Sequence, residues 1–273
     1  MAGTSPTTSL IIFLVLTLGY FIAKYYIKPP NPNQATRNLF GFTTNIVLTI
    51  VYALAVIVSQ FFVNLSMTTS ICGTQQFVTA IYSTVLPWVV IFGSVIGILK
   101  VFPSWLSPFS NTFGYAVCYL SGINSYFEDI LTDRKAVNIQ NKDKAGFVQA
   151  IDHIYEDKSV LINSLTLENL ADQWNSMTSV NLIKSSAGGV DGISYNKLKQ
   201  FIKMKNEVAE FIWYALTGGL VTSYSYNNIV NAGCQLSAAE MKKRHDDYMA
   251  KEKEIAKQKN DNSKTEMVYK TYD

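Results

Sequence analysis

The first 127 residues contain no aspartate and no glutamate, and their only basic residues are Lys24, Lys28, Arg37 and Lys100. Charged residues make up 16% of the whole chain, against about 25% in ordinary soluble domains. The deficit is confined to the first half; from residue 128 onward acids and bases are plentiful and nearly balanced. The net charge of +3 is too small and too scattered to form the basic footprint that nucleic acid requires. Only two histidines and three cysteines are present. Cys72, Cys118 and Cys234 are far apart and show no metal-type spacing, which argues against a zinc site. A disulfide between two of them remains open, beside the simpler reading of unpaired small apolar side chains.

Motifs for chemistry are also missing. No glycine-rich loop ends in Lys-Ser or Lys-Thr, and no Gly-x-Ser-x-Gly elbow occurs. His153 sits among Asp152, Glu156 and Asp157, the pattern of a surface histidine on an acidic helix. The composition therefore predicts a protein that is not an enzyme, with no cofactor, no metal and no small-molecule substrate.

What the first half does have is long apolar runs. A helix needs about 20 mostly apolar residues to cross a bilayer core, and residues 9–27, 45–65 and 77–102 each qualify. A soluble alternative would need three helices apolar on every face in a chain this short. Spans that avoid acids, His and Arg lack the groups that usually mark ion or proton pathways, which argues against a transporter, although a passive pore is left open. Lys24, Lys28 and Arg37 cluster after the first span, so that loop should face the cytosol, with residues 66–76 on the other side and Lys100 back on the cytosolic side. The Pro-Pro-Asn-Pro-Asn run at 29–33 reads as a stiff connector. In the third span Gly93 and Gly97 form a GxxxG pair suited to close helix packing, and Pro87 predicts a kink.

After this span comes VFPSWLSPFSNTFGY, residues 101–115. Pro103 ends the helix, Pro108 and the Ser110-Asn111 pair break the backbone again, and Trp105 and Phe109 suit the membrane interface. Residues 103–124 are thus expected to be an interfacial or re-entrant segment, with a fourth span over 106–123 as the alternative. Pro103, Trp105, Pro108, Phe109, Asn111, Phe113 and Tyr115 are its candidate lipid and partner contacts.

Residues 125–206 carry ten acids and ten bases and read as a helical extramembrane domain. Leu167, Leu170, Trp174 and Met177 form one apolar helical stripe. Ser185 to Gly192 is a glycine-rich turn, Ser194 is positioned to cap the next helix, and Gly218-Gly219 is expected to end it. Residues 207–234 are apolar enough to associate with a membrane, but Glu210 and the glycine pair weaken a crossing. The favoured arrangement keeps both middle domain and tail cytosolic. The tail, 235–273, is a charged helix in which Met241, Tyr248 and Ile255 recur every seven residues, too thin a seam for a coiled coil.

Two stretches add a resemblance. LPWVVIFGSVIGILKVFPSWLSPFSNTFGYAV (86–117) and FIWYALTGGLVTSYSYNNIVNAGC (211–234) resemble membrane proteins of nucleo-cytoplasmic large DNA viruses, of the chlorella-virus and mimivirus kind. They cover about a fifth of the chain. What the resemblance implies is a multi-pass minor capsid protein in the internal membrane of the virion, and in host membranes during assembly. Its partners would be membrane lipid, capsid proteins and other virion membrane proteins. The competing expectation is a membrane pore, or an assembly factor absent from the particle. The expected fold is all-α: multi-span transmembrane helices over residues 1–102, a small helical extramembrane domain and a charged helical tail.

Overall fold

The computed structural model describes residues 6–26, 34–137, 144–234 and 238–266, and over these the chain is all-α. The single β-type contact among them is a bridge between Leu131 and Ile183. The connector at 29–33, Lys28 and the last residues of the tail lie outside the described residues.

Helix α1 spans Pro6–Tyr26 and α2 spans Gln34–Cys72. The third apolar run is α3, Phe77–Pro87, a π turn over Trp88–Phe92, and α4, Gly93–Val101. The kink expected at Pro87 is absorbed by that π turn, since proline supplies no N–H to the preceding turn. Three stretches are long and apolar enough to cross a membrane: Pro6–Lys24, Asn45–Cys72 and Phe77–Val101. The second runs further than its apolar core suggested, because Thr68, Thr69 and Ser70 donate their hydroxyls to carbonyls of their own helix. The connection expected over 66–76 therefore shrinks to 73–76.

Beyond Val101 the chain forms a 3-10 turn, Pro103–Leu106, the one-turn helix α5, Ser107–Phe109, a second π turn, Ser110–Gly114, and α6, Tyr115–Leu120. The helices α7 (Ile123–Ile130), α8 (Lys144–Glu156), α9 (Lys158–Ser164) and α10 (Leu170–Ser179) follow. Helix α11 runs unbroken over Ile193–Asn231, and α12 over Ala238–Glu266.

Helix α11 organises the molecule. Its first half is one wall of a globular head, in which Ile123, Phe127, Ile162, Leu170, Trp174 and Leu198 are fully buried. The head core also takes in Cys118, so this unit begins before residue 125. Its second half runs antiparallel to α1: Glu210 meets Lys24, Tyr214 meets Tyr20, and Gly218 meets Phe13. With α2 and α3–α4 this half completes a four-helix bundle whose core contains Phe13, Tyr52, Val56, Trp88, Phe92, Tyr214 and Val221. At the far end Cys234 is disulfide-bonded to Cys72. The bundle surface is apolar, with Val15, Leu18, Val51, Leu54, Val78, Val90 and Leu220 all more than half exposed.

Several sequence expectations are corrected here. Residues 210–231 form the second half of α11, which runs along the bundle from the lysine end to the disulfide end. Gly218-Gly219 does not end a helix. A Cβ at Gly218 would collide with the Phe13 ring, so this glycine is a seat for that ring. Among the described residues Gly93 and Gly97 pack no helix within the chain: nothing lies within 4 Å of a Cβ at Gly97, and only the Trp88 carbonyl, at 3.9 Å, approaches one at Gly93. The α11 N-cap is Gly192, with no side-chain cap from Ser194. Leu167 precedes α10 and is exposed, while Leu170, Trp174 and Met177 of the same stripe are buried. Two cysteines are paired, and only Cys118 is free.

The ring seat makes a sharp prediction. Overpacking a filled core costs roughly 1–3 kcal/mol, so Gly218→Ala should lower the thermal midpoint of the detergent-solubilised protein. Adding Phe13→Ala should cost less in the Gly218→Ala background than in wild type. Additive effects in this double-mutant cycle, read by circular dichroism, would show that ring and glycine are not in contact.

Candidate functional site

Two polar-aromatic assemblies stand out, one at each edge of the junction between bundle and head. The first is a collar around Glu210. This acid is buried on α11, and Lys24 from the end of α1 reaches one carboxylate oxygen at 2.7 Å. Lys100, from the end of α4, reaches the other at 3.2 Å. The Tyr214 hydroxyl donates to the same carboxylate at 3.0 Å. One carboxylate thus ties three of the four bundle helices together, with its lone pairs occupied by charged and neutral donors. Below it Tyr20 stacks on Tyr52 at 4.4 Å, and Tyr214 lies nearly parallel to Tyr52 at 6.0 Å. Their hydroxyls are engaged as well: Thr17 pairs with Tyr52 at 2.8 Å and Tyr20 with Thr49 at 3.0 Å.

Deeper in the bundle the interior is closed. Phe13 lies edge-on to Phe92 with centroids 5.6 Å apart and 5.2 Å from Trp88, next to Val56 and Val221. Past this plug polar pairing resumes. Ser9 bonds Gln60, whose amide donates to the Ser9 carbonyl at 2.9 Å, and Asn64 donates to Thr84 at 2.8 Å. Amides and hydroxyls turned inward under an apolar exterior are what helix association in lipid calls for, because hydrophobicity supplies no drive between helices there.

The second assembly is the segment 103–120. It climbs the first half of α11 in the opposite direction, with Phe109 on Trp213 at 5.1 Å, Gly114 against Lys205, and Cys118 bonded to the Phe201 carbonyl at 3.3 Å. Gly114 is required, since a Cβ there would be 2.5 Å from the Lys205 carbonyl oxygen. The stretch 106–123, for which a fourth span was the alternative reading, is built of short turns and helices and forms the stem of the head.

The candidate contact residues divide. Trp105 and Phe113 are more than half exposed, and Pro103 and Pro108 are exposed. Phe109 packs on Trp213, whose indole N–H donates to the Trp105 carbonyl at 2.9 Å. Asn111 and Tyr115 serve the fold instead. Asn111 accepts from Lys205 at 3.3 Å through its side chain and from Asn163 at 3.4 Å through its carbonyl, and Tyr115 packs on the head core.

Lys205 is fully buried, and its ammonium also donates to the Ile162 carbonyl at 2.7 Å. It joins the stem to α9. Desolvation pushes its pKa down to about 8, while burial raises the neighbouring Cys118 thiol to about 11. His153 is exposed beside Glu156, as its sequence context suggested. Among the described residues no group of three or more His, Cys, Asp or Glu side chains is placed to hold a metal ion.

Sequence reasoning missed the collar. The signal was present: a lone acid opens an apolar stretch in a chain whose apolar spans otherwise carry charge only at their ends, and two of those ends are Lys24 and Lys100. No known protein family, curated protein or solved structure matches the chain.

The collar can be tested by removing its acid. Taking away one member of a buried ion pair costs about 3–5 kcal/mol, mostly through the charge left behind. Lys100 is half exposed and keeps its hydration, so Glu210→Leu alone should cost about 3 kcal/mol of stability in detergent. Combining it with Lys24→Met should recover part of the loss, as read by denaturant titration; a double variant weaker than the single would contradict the collar.

For Lys205 the folded pKa lies below that of the unfolded chain. Over the window from about 8 to the usual lysine value near 10.4, the unfolded state binds more protons, so stability rises with pH there. Below about pH 8 the full penalty for burying the charge is present. Wild type should therefore gain on Lys205→Met as pH goes from about 8 to about 10, read as the difference between their head-domain melting midpoints. A difference independent of pH would remove the buried ammonium from the account.

Proposed function

We propose that this chain is a structural membrane protein that anchors a folded head to a bilayer and presents it to protein partners. The observation that carries this reading is the mechanical continuity of α11, a single helix that is both a wall of the head and a member of the bundle. A hinge between head and membrane would defeat an anchor, and the stem packed along α11 with Lys205 buried between them opposes one. The exposed apolar side chains of the stem, Trp105, Phe113, Tyr119 and Leu120, are the surface on offer. Aromatic residues of this kind make strong protein contacts because they bury large area at small entropic cost. With the resemblance noted above, the reading becomes specific: a virion membrane protein of a large DNA virus, linking the internal membrane to the capsid shell.

The pore reading is the weaker one. Phe13, Val56, Trp88, Phe92 and Val221 fill the bundle at mid-depth, and Phe13 sits directly on the α11 backbone at Gly218.

In virions of the encoding virus the protein should be present in structural amounts by mass spectrometry, and Phe113→Asp with Tyr119→Asp should reduce its retention with capsid protein after detergent treatment. Both substitutions are at exposed positions, so circular dichroism should be unchanged. Absence from purified particles, or full capsid retention of the double variant, would sink the tether.

A further inference from the structure

We propose that α11 is a fourth membrane crossing, so that head and charged tail lie on opposite faces of the bilayer, with the Cys72–Cys234 disulfide and α12 on an oxidising face. The inference rests on the membrane-anchor reading but not on the identity of any partner.

The lengths fit. From Glu210 to Asn231 is 22 residues, roughly 33 Å of helix at 1.5 Å per residue, against a hydrocarbon core of about 30 Å. The remainder of α11, from Ile193 to Ala209, is about 25 Å long and belongs to the head. Both ends of the crossing are pinned. At the head end Glu210 is held by Lys24 and Lys100, charges of the kind that remain at a membrane boundary. At the other end Cys234 is bonded to Cys72, 162 residues earlier in sequence, with Cα atoms 5.3 Å apart. Gly73 is next to this bond, and Arg244 of α12 donates to the Cys72 carbonyl at 2.8 Å. The start of the tail is therefore fixed against the α2–α3 connection and cannot lie with the head.

Disulfides persist where the compartment is oxidising and are rare in the cytosol. The basic residues of the first spans agree, because Lys24 and Lys100 mark the head side as cytosolic. Lys242, Lys243 and Arg244 then fall on the non-cytosolic face, against the usual bias. Orientation is set chiefly by the first spans, and the covalent bond between Cys72 and Cys234 holds the start of the tail at the far end of the bundle whatever its charge.

The test uses the full chain inserted into sealed microsomes, cytosolic face outward. Glu168→Cys in the head and Lys251→Cys in α12 place single reporters at exposed positions. A membrane-impermeant maleimide should label Glu168→Cys in intact vesicles and Lys251→Cys only after permeabilisation. Equal labelling of both before permeabilisation, or protection of both, overturns the fourth crossing. The reversed pattern overturns the assignment of the disulfide to the oxidising face. In the wild-type chain, trypsin fragments carrying Cys72 and Cys234 should stay joined until reduced, and Cys72→Ser should separate them without reduction; free alkylation of both thiols overturns the bond. Release of the chain from vesicles by alkaline wash would instead remove the membrane reading itself, and the capsid experiment is independent of all these outcomes.

Discussion

A single buried carboxylate decides where α11 sits. Glu210 is too polar to face lipid and too deeply placed to face water, and only the position between Lys24 and Lys100 satisfies it. That position fixes the register of α11 against α1, which puts Tyr214 among the tyrosines and Gly218 under Phe13. Displacement by one turn would move Glu210 about 5.4 Å along the axis, separate it from both lysines and drive the Phe13 ring into a residue with a side chain. The ion collar and the ring seat thus enforce the same register from opposite directions.

Burying polar side chains looks like a cost, and in lipid it is a means of specification. Apolar side chains gain nothing by leaving hydrocarbon for the bundle interior, so the surface of α1, α2 and α3 can be uniformly Val, Ile and Leu without directing assembly. Direction comes from the few groups that lipid cannot satisfy. Ser9 with Gln60, Asn64 with Thr84, and Thr17 with Tyr52 each join a polar side chain to one on a neighbouring helix. The interior then divides into polar layers near both ends and an aromatic plug between them.

The sequence made the three uniformly apolar helices plain, because about twenty consecutive residues without charge suit a bilayer and little else. It made the head stripe at Leu170, Trp174 and Met177 plain through periodicity. It hid α11, and the reason is physical. A helix whose inner face carries Glu210 for its neighbours, beside Thr217, Thr222 and Ser225, has a hydropathy that falls between classes, although all four residues are buried. Glycines compounded the error, since Gly218-Gly219 looks like a stop to a reader of one helix and like a socket only when Phe13 is known to face it. The bond between Cys72 and Cys234 was invisible for a related reason: spacing says nothing of pairing once two cysteines are brought together by helices folding back on one another.

These hidden features share one consequence. Helices α1, α2 and α3–α4 are long and apolar enough to cross a bilayer by their own composition, whereas the exposed apolar side of α11, with Leu216 and Leu220, is only part of its circumference. By itself α11 would place the Glu210 carboxylate in an apolar surround without its lysine partners, at a cost in free energy. Its stability in the bundle must therefore come from specific contacts: the collar at one end, the ring seat in the middle and the disulfide at the other. A helix retained by contacts and not by solvent is bound to one geometry. Because the same continuous rod is a wall of the head, a tilt of the head against the bundle would have to break the collar or pull Gly218 away from Phe13.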